Sequence, residues 1–269
     1  MEQENSMQEL WTAVDSYFKD LLIGKDSALE AALRESEAAG LPMIQVTPNQ
    51  GKLLWMFVRL TGACKVLEIG TLGGYSTIWM ARALPPGGRL ISLEVDPRHA
   101  AVARKNIARA GLTAVAEVRT GPALDSLPRI EAEGSGPFEV VFLDADKPHN
   151  PEYFSWALRL TRPGSVIIVD NVVRGGAVAD PRNGNASVRA TRKLFEMAAA
   201  DPRISATAIQ TVGKKGYDGF AVFLVVAETP RNSRGVSKER ARAVQYGLMG
   251  CRDDGATKQS RSTDSKERS

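Results

Sequence analysis

The chain has 269 residues, 43% of them hydrophobic and 25% charged, enough for one sizeable core or at most two small ones. No run of about 18 apolar residues occurs, which excludes a transmembrane helix. The net charge of +4 resides in residues 228–269, with ten Lys or Arg against six Asp or Glu. Residues 1–227 balance at 25 of each, so the electrostatic case for a nucleic-acid-binding surface on the folded part falls away.

The N-terminus, Met1-Glu2-Gln3-Glu4-Asn5, lacks the basic and apolar regions of a secretory signal, and a cytoplasmic location is expected. The first 60 residues read as helices. Leu10, Val14, Phe18, Leu21 and Leu22 recur at helical spacing, as do Ala28, Leu29, Ala32 and Leu33. Gly40-Leu41-Pro42 breaks the pattern. Thr47 then caps a third helix opened by Pro48 and continued by Leu53, Leu54, Phe57, Val58 and Leu60.

From Lys65 short apolar runs alternate with amphipathic segments. The runs are Lys65–Ile69, Arg89–Val95, Ala114–Arg119, Phe138–Leu143, Ser165–Val169, Ser205–Gln210 and Phe220–Val226. Helices are predicted at Ser76–Leu84, Pro97–Ala110, Ala123–Glu131, Pro151–Leu160 and Ser187–Ala200. Such alternation predicts an α/β fold with a doubly wound, mostly parallel sheet of seven strands and helices on both faces. The last two runs read as a hairpin through a Gly213–Gly219 loop, placing one antiparallel strand in the sheet. Residues 1–227 thus form a single domain with extra N-terminal helices, and 228–269 read as a disordered basic tail.

Gly70, Gly73 and Gly74 follow the first strand, where glycines permit a tight turn and close approach of the backbone to a ligand. The spacing is not Gly-x-Gly-x-x-Gly, so the dinucleotide fingerprint fails. Glu68 would repel a pyrophosphate and suits a cationic ligand part, such as the ammonium or sulfonium of S-adenosylmethionine. At the end of the second strand Glu94 is placed to accept from ribose hydroxyls, while Asp96 caps the helix opened by Pro97. Gly121-Pro122-Ala123 would border an adenine.

The fourth strand ends in Asp144-Ala145-Asp146-Lys147 and the fifth in Asp170-Asn171. Ligands of open α/β sheets bind outside the carboxyl ends of the strands. If these two strands are neighbours, about 4.8 Å apart, Asp144, Asp170 and Asn171 converge within one ion's reach. Two carboxylates and an amide oxygen suit Mg²⁺, with Mn²⁺ or Ca²⁺ as alternatives. Lys147 is a candidate general base, and His149 reads as an ordinary loop residue.

Val66–Ser76, Glu94, Gly121-Pro122-Ala123, Asp144–Lys147 and Asp170-Asn171 together resemble the motifs of cation-dependent O-methyltransferases, the class that includes catechol and caffeoyl-CoA O-methyltransferases. The resemblance covers roughly residues 40–227 and is closest to bacterial members. It implies a Rossmann-like methyltransferase fold of seven strands, often dimeric. It also implies that Glu68, Gly70 and Ser76 lie at the methionine end of the cofactor and that Glu94 holds the ribose. Asp146 matches an acid beside the cofactor, Asp144, Asp170 and Asn171 match the metal ligands, and Lys147 matches the catalytic lysine. Ala123 departs from the serine that catechol methyltransferases place near adenine, which leaves only backbone contact there. The implied reaction is methyl transfer to a catechol-type small molecule chelated by the cation, in a homodimer. A nucleotide-dependent oxidoreductase and a non-catalytic cofactor-binding protein on the same fold are the alternatives. Glu68 and the missing third glycine speak against the first, and the intact Asp144, Lys147, Asp170 and Asn171 set against the second.

Overall fold

A computed structural model gives the structure, and residues 2–227 are described. The chain begins with α1 (Glu2–Phe18), which runs into a π-helical turn over Lys19–Ile23, and continues with α2 (Ser27–Ala38) and α3 (Pro48–Leu60). Local chemistry sets these boundaries. Asp26 caps α2 by accepting from the N–H groups of Ala28 and Leu29. Thr47 accepts from Gln50 N at 3.2 Å, and Pro48 occupies the first turn, as the spacing predicts.

The sheet contains β1 (Lys65–Ile69), β2 (Arg89–Glu94), β3 (Ala116–Thr120), β4 (Phe138–Leu143), β5 (Thr161–Asp170), β6 (Ile204–Gly213) and β7 (Gly216–Val225). Their order is β3-β2-β1-β4-β5-β7-β6. β7 runs antiparallel to both of its neighbours, β5 and β6, and the pairs from β3 across to β5 are parallel. Helices α4 (Tyr75–Ala81), α5 (Pro97–Arg109), α6 (Ala123–Ala132), α7 (Asn150–Arg159) and α8 (Ala186–Ala200) connect the strands.

Strand residues alternate between two cores. Val66, Val140 and Phe142 pack on one face with Ile78 and Met80. Leu67, Ile69, Val141 and Leu143 pack on the other with Leu127, Phe154 and Phe223. Because both faces are covered, the central strands read as continuous apolar runs. The winding reverses between β1 and β4, which opens a crevice at their carboxyl ends, where such folds bind ligands.

The terminal hairpin is longer than the sequence predicts. The expected Gly213–Gly219 loop is replaced by paired strand: Gly213 pairs with Gly216 and Gln210 with Gly219, and only Lys214 and Lys215 intervene. Three glycines concealed this. Gly216, at φ +88°, is the left-handed residue that follows the two turn residues and lets the chain re-enter the strand. Gly219 lies inside a strand because a Cβ there would meet Ile209 O at 2.3 Å. The extended hairpin leans on α1, with Gln8 Nε2 donating to Gly213 O at 3.0 Å.

Parts of α1 and of the π-helical turn that follows it are not covered by the domain. Leu10, Val14, Leu21 and Leu22 are 56%, 45%, 64% and 70% exposed. Among the described residues no helix is long and apolar enough to cross a membrane. The expected disordered tail at 228–269 lies outside the described residues.

Candidate active site

The loop after β1 is bound to the ends of the neighbouring strands. Gly70 N donates to Leu93 O at 2.9 Å, and Asp144 N donates to Ile69 O at 2.8 Å. Gly70 has φ +101°, and a Cβ there would meet the carbonyl oxygen of Asp144 at 2.3 Å. Backbone strain and backbone collision therefore coincide at this position. Gly70→Ala is expected to destabilise the fold by about 1–3 kcal/mol and to abolish the melting-temperature rise caused by S-adenosylhomocysteine. A variant that melts and responds like the parent would refute this role.

Glu94 holds the loop from below. Its Oε2 accepts from Thr71 N at 3.2 Å and Leu72 N at 2.8 Å, and its Oε1 accepts from Asp96 N at 3.0 Å. Glu94 also lines a cavity of about 500 Å³ together with Gly70, Ser76, Ala123, Asp144 and Asp146. Asp96 caps α5 through Arg98 N and His99 N, as expected.

Glu68 requires a correction. It does not line this cavity but is fully buried. It shares its face of β1 with Val66 and so points beneath α4 rather than off the strand end. Ser76 donates to Oε1 at 2.5 Å, and Thr77 and Ser92 donate to Oε2 at 2.5 and 2.6 Å. Its reach toward the cavity passes through the Ser76 hydroxyl. Burial pushes its pKa up to about 7, against the pull of these three hydroxyls.

A raised carboxylate pKa means that the folded state keeps a proton that the unfolded chain has already lost. Stability from this group therefore falls as pH rises from about 4.5 to about 7, by up to about 3 kcal/mol. Glu68→Gln is expected to flatten the decline in melting temperature of the ligand-free protein over that window. Parallel pH profiles for parent and variant would refute the assignment. Asp170 contributes a slope of the same sign in both proteins, so the comparison isolates Glu68.

Pairing of Leu143 with Val169 sets Asp144 beside Asp170 at the ends of adjacent strands. Asp170 is 7% exposed. Burial, followed by the Asp144 carboxylate, pushes its pKa up to about 7. Its Oδ1 accepts from Asn171 N at 2.8 Å, and Asn171 adopts φ +57°. Lys147, 9% exposed, donates to Asp144 Oδ1 at 2.8 Å. Asp146 accepts from Tyr153 Oη at 2.6 Å and also bonds the ring of His149. Against the push of burial, these bonds hold its pKa below the usual carboxylate range. His149, read as an ordinary loop residue, thus helps to orient Asp146.

A second cavity, of about 670 Å³, is lined by Asp170, Gln50, Arg174, Lys215 and Tyr217. Asn171 lines both cavities, as do Ile44 and Val46. The loop after β1 and the β4 end face the first cavity, and the β5 end faces the second. Among the described residues no three His, Cys, Asp or Glu side chains gather around one point. The cluster is two carboxylates and an amide, a hard-oxygen set suited to a divalent cation. Gln50, Arg174 and Lys215 were not singled out in the sequence, since isolated polar residues in helix starts and loops carry no spacing signal.

Residues 23–221 match the model of a family described as O-methyltransferase. The chain is 52% identical over 217 residues to a catechol O-methyltransferase of Niastella koreensis, covering 81% of this chain and 98% of that protein. Among solved structures, an O-methyltransferase from Bacillus cereus in complex with S-adenosylhomocysteine (SAH) superposes with a TM-score of 0.80 at 56% identity, covering 81% of this chain and 99% of that one. TomG from Streptomyces achromogenes, involved in tomaymycin synthesis and solved with S-adenosylmethionine, gives a TM-score of 0.80 at 50% identity, covering 82% and 99%. The oxidoreductase and non-catalytic alternatives fall with these matches. The seven-stranded sheet, its cofactor crevice and these relatives place the chain in the class I O-methyltransferase family, enzymes of Rossmann-like fold that take their methyl group from S-adenosylmethionine.

Proposed function

We propose that the chain methylates one hydroxyl of a catechol-type small molecule and that a divalent cation, Mg²⁺ foremost, is required. The observation that carries this reading is the Asp144–Asp170 pair with Asn171 at the junction of the two cavities. Burial and mutual repulsion have pushed Asp170 up to about 7, and a cation between the carboxylates would relieve both. When bound, such an ion would hold two adjacent acceptor oxygens and lower the pKa of one hydroxyl.

The chain's own residues do the rest. Asp144, Asp170 and Asn171 would hold the ion. Glu94 accepts from the ribose, Ala123 borders the adenine with its backbone, and Gly70, Ser76 and Asp146 orient the methionine end. Lys147 accepts or steers the hydroxyl proton. The acceptor oxygen then attacks the methyl carbon as the sulfur departs, and catalysis rests mainly on positioning. A cytoplasmic homodimer completes the proposal, with the exposed apolar face of α1 as the surface that a second copy would cover.

Methyl-labelled S-adenosylmethionine, catechol and Mg²⁺ should give labelled product. EDTA should stop the reaction and excess Mg²⁺ should restore it. Full turnover in chelator would sink the metal requirement.

A further inference from the structure

The larger cavity carries two cations that methyl transfer does not use. Lys215 comes from the tip of the β6–β7 hairpin and Arg174 from the segment after β5, and both line the wall beside Asp170 and Asn171. The chain anchors the backbone at Arg174 and next to Lys215. Asp15 accepts from Lys214 N at 2.8 Å and from Asn49 Nδ2 at 3.2 Å, which ties the hairpin tip to α1 and α3. Asp218 Oδ1 accepts from the N–H groups of Val173 and Arg174 at 3.0 and 2.9 Å. Arg174 is held at φ +57°, a conformation rare for a residue with a Cβ and one that clusters at functional sites.

These two acids answer to backbone and amide donors, not to the cations. Among the described residues neither Lys215 nor Arg174 makes an ion pair or a side-chain hydrogen bond, and Arg174 Nε is buried without a partner. Burial lowers the pKa of Lys215 against the attraction of Asp144 and Asp170, and these two acids are the pair that a bound divalent cation would neutralise. Two cations on the wall of a concave site attract an anion. The guanidinium fork suits a planar carboxylate.

We infer that Lys215 and Arg174 form an anion subsite of the acceptor cavity, so that the preferred acceptor is a catechol bearing a carboxylate on or near its ring. This rests on the catechol reading above and narrows it to an acidic substrate class.

The test compares protocatechuate, its methyl ester and the corresponding dihydroxybenzylamine in the full chain with Mg²⁺. Turnover is measured with S-adenosylmethionine, and calorimetric binding to the protein loaded with S-adenosylhomocysteine gives a second readout. KM and Kd are compared rather than kcat, because the ester alters the acidity of the reacting phenol. The acid should bind about tenfold or more tightly than the ester, the factor that one charge-assisted hydrogen bond carries, and the amine should bind weakest. Lys215→Met and Arg174→Gln should each lower the acid-to-ester affinity ratio, and the double variant should bring it near one. A ratio taken within one preparation does not depend on how much of it is folded. Equal affinities in the parent, or an unchanged ratio in the double variant, would overturn the inference and leave catechol methylation standing. Failure to methylate any of the three would overturn the catechol reading and the inference with it.

Discussion

Asp170→Ala is expected to lower kcat/KM roughly a thousandfold, about 4 kcal/mol of transition-state stabilisation, while leaving the ligand-free protein at least as stable. The two effects differ in sign because, in the proposed mechanism, the carboxylate serves the chemistry at a cost to the fold. Asp170 is buried beside the like charge of Asp144, and its pKa has risen to about 7 in consequence. Deleting it removes an unfavourable desolvation and a repulsion. A divalent cation that binds only the folded parent would raise its stability by about 2.7 kcal/mol at a hundredfold excess over Kd, and the variant should lose this increment. Stabilisation by S-adenosylhomocysteine should persist, because Ser76, Glu94 and Asp146 line the other cavity. Melting curves with and without Mg²⁺, alongside turnover, check all three. If cofactor binding and ligand-free stability were lost together, Asp170 would be a structural residue and the metal assignment would fall.

What could be read from the sequence divides along the range of the forces involved. Thr47-Pro48 and Asp96-Pro97 announced their helix starts because capping is settled within three residues. The placement of Asp144 beside Asp170 followed once β4 and β5 were taken as neighbours, which right-handed crossovers favour. The direction of Glu68 was also present in the pattern. Val66 and Glu68 share one face of β1 while Leu67 and Ile69 share the other, so the acid had to lie under α4. Its position next to the glycine loop drew attention away from that alternation. Lys215 had no local signal. Its place on the wall of the larger cavity depends on Asp15 holding the Lys214 amide across 199 residues, and on strand pairing that Gly213, Gly216 and Gly219 disguised as loop.

Lys147→Met is expected to lower kcat by about 10²–10⁴, the range spanned by positioned proton transfer, with KM changed far less. Methionine keeps an unbranched apolar stem in the buried site and removes only the charge and the donors. In the ligand-free variant Asp144 loses the cation 2.8 Å from its Oδ1, which should cost stability, and Mg²⁺ should restore it by supplying charge to the same carboxylate. That recovery separates folding from chemistry, since a lesion confined to the fold would regain turnover along with stability. Lys147→Arg then distinguishes the two chemical roles open to this lysine, that of a neutral amine that takes up the hydroxyl proton and that of an ammonium that acts by its charge alone. A guanidinium restores the positive charge but cannot give up its proton. If Lys147 accepts the hydroxyl proton, the arginine variant should stay nearly as slow as the methionine variant. If it only stabilises the developing phenolate by its charge, arginine should recover most of the rate. Full activity in Lys147→Met at saturating Mg²⁺ would remove Lys147 from the mechanism and leave acceptor deprotonation to the cation and solvent.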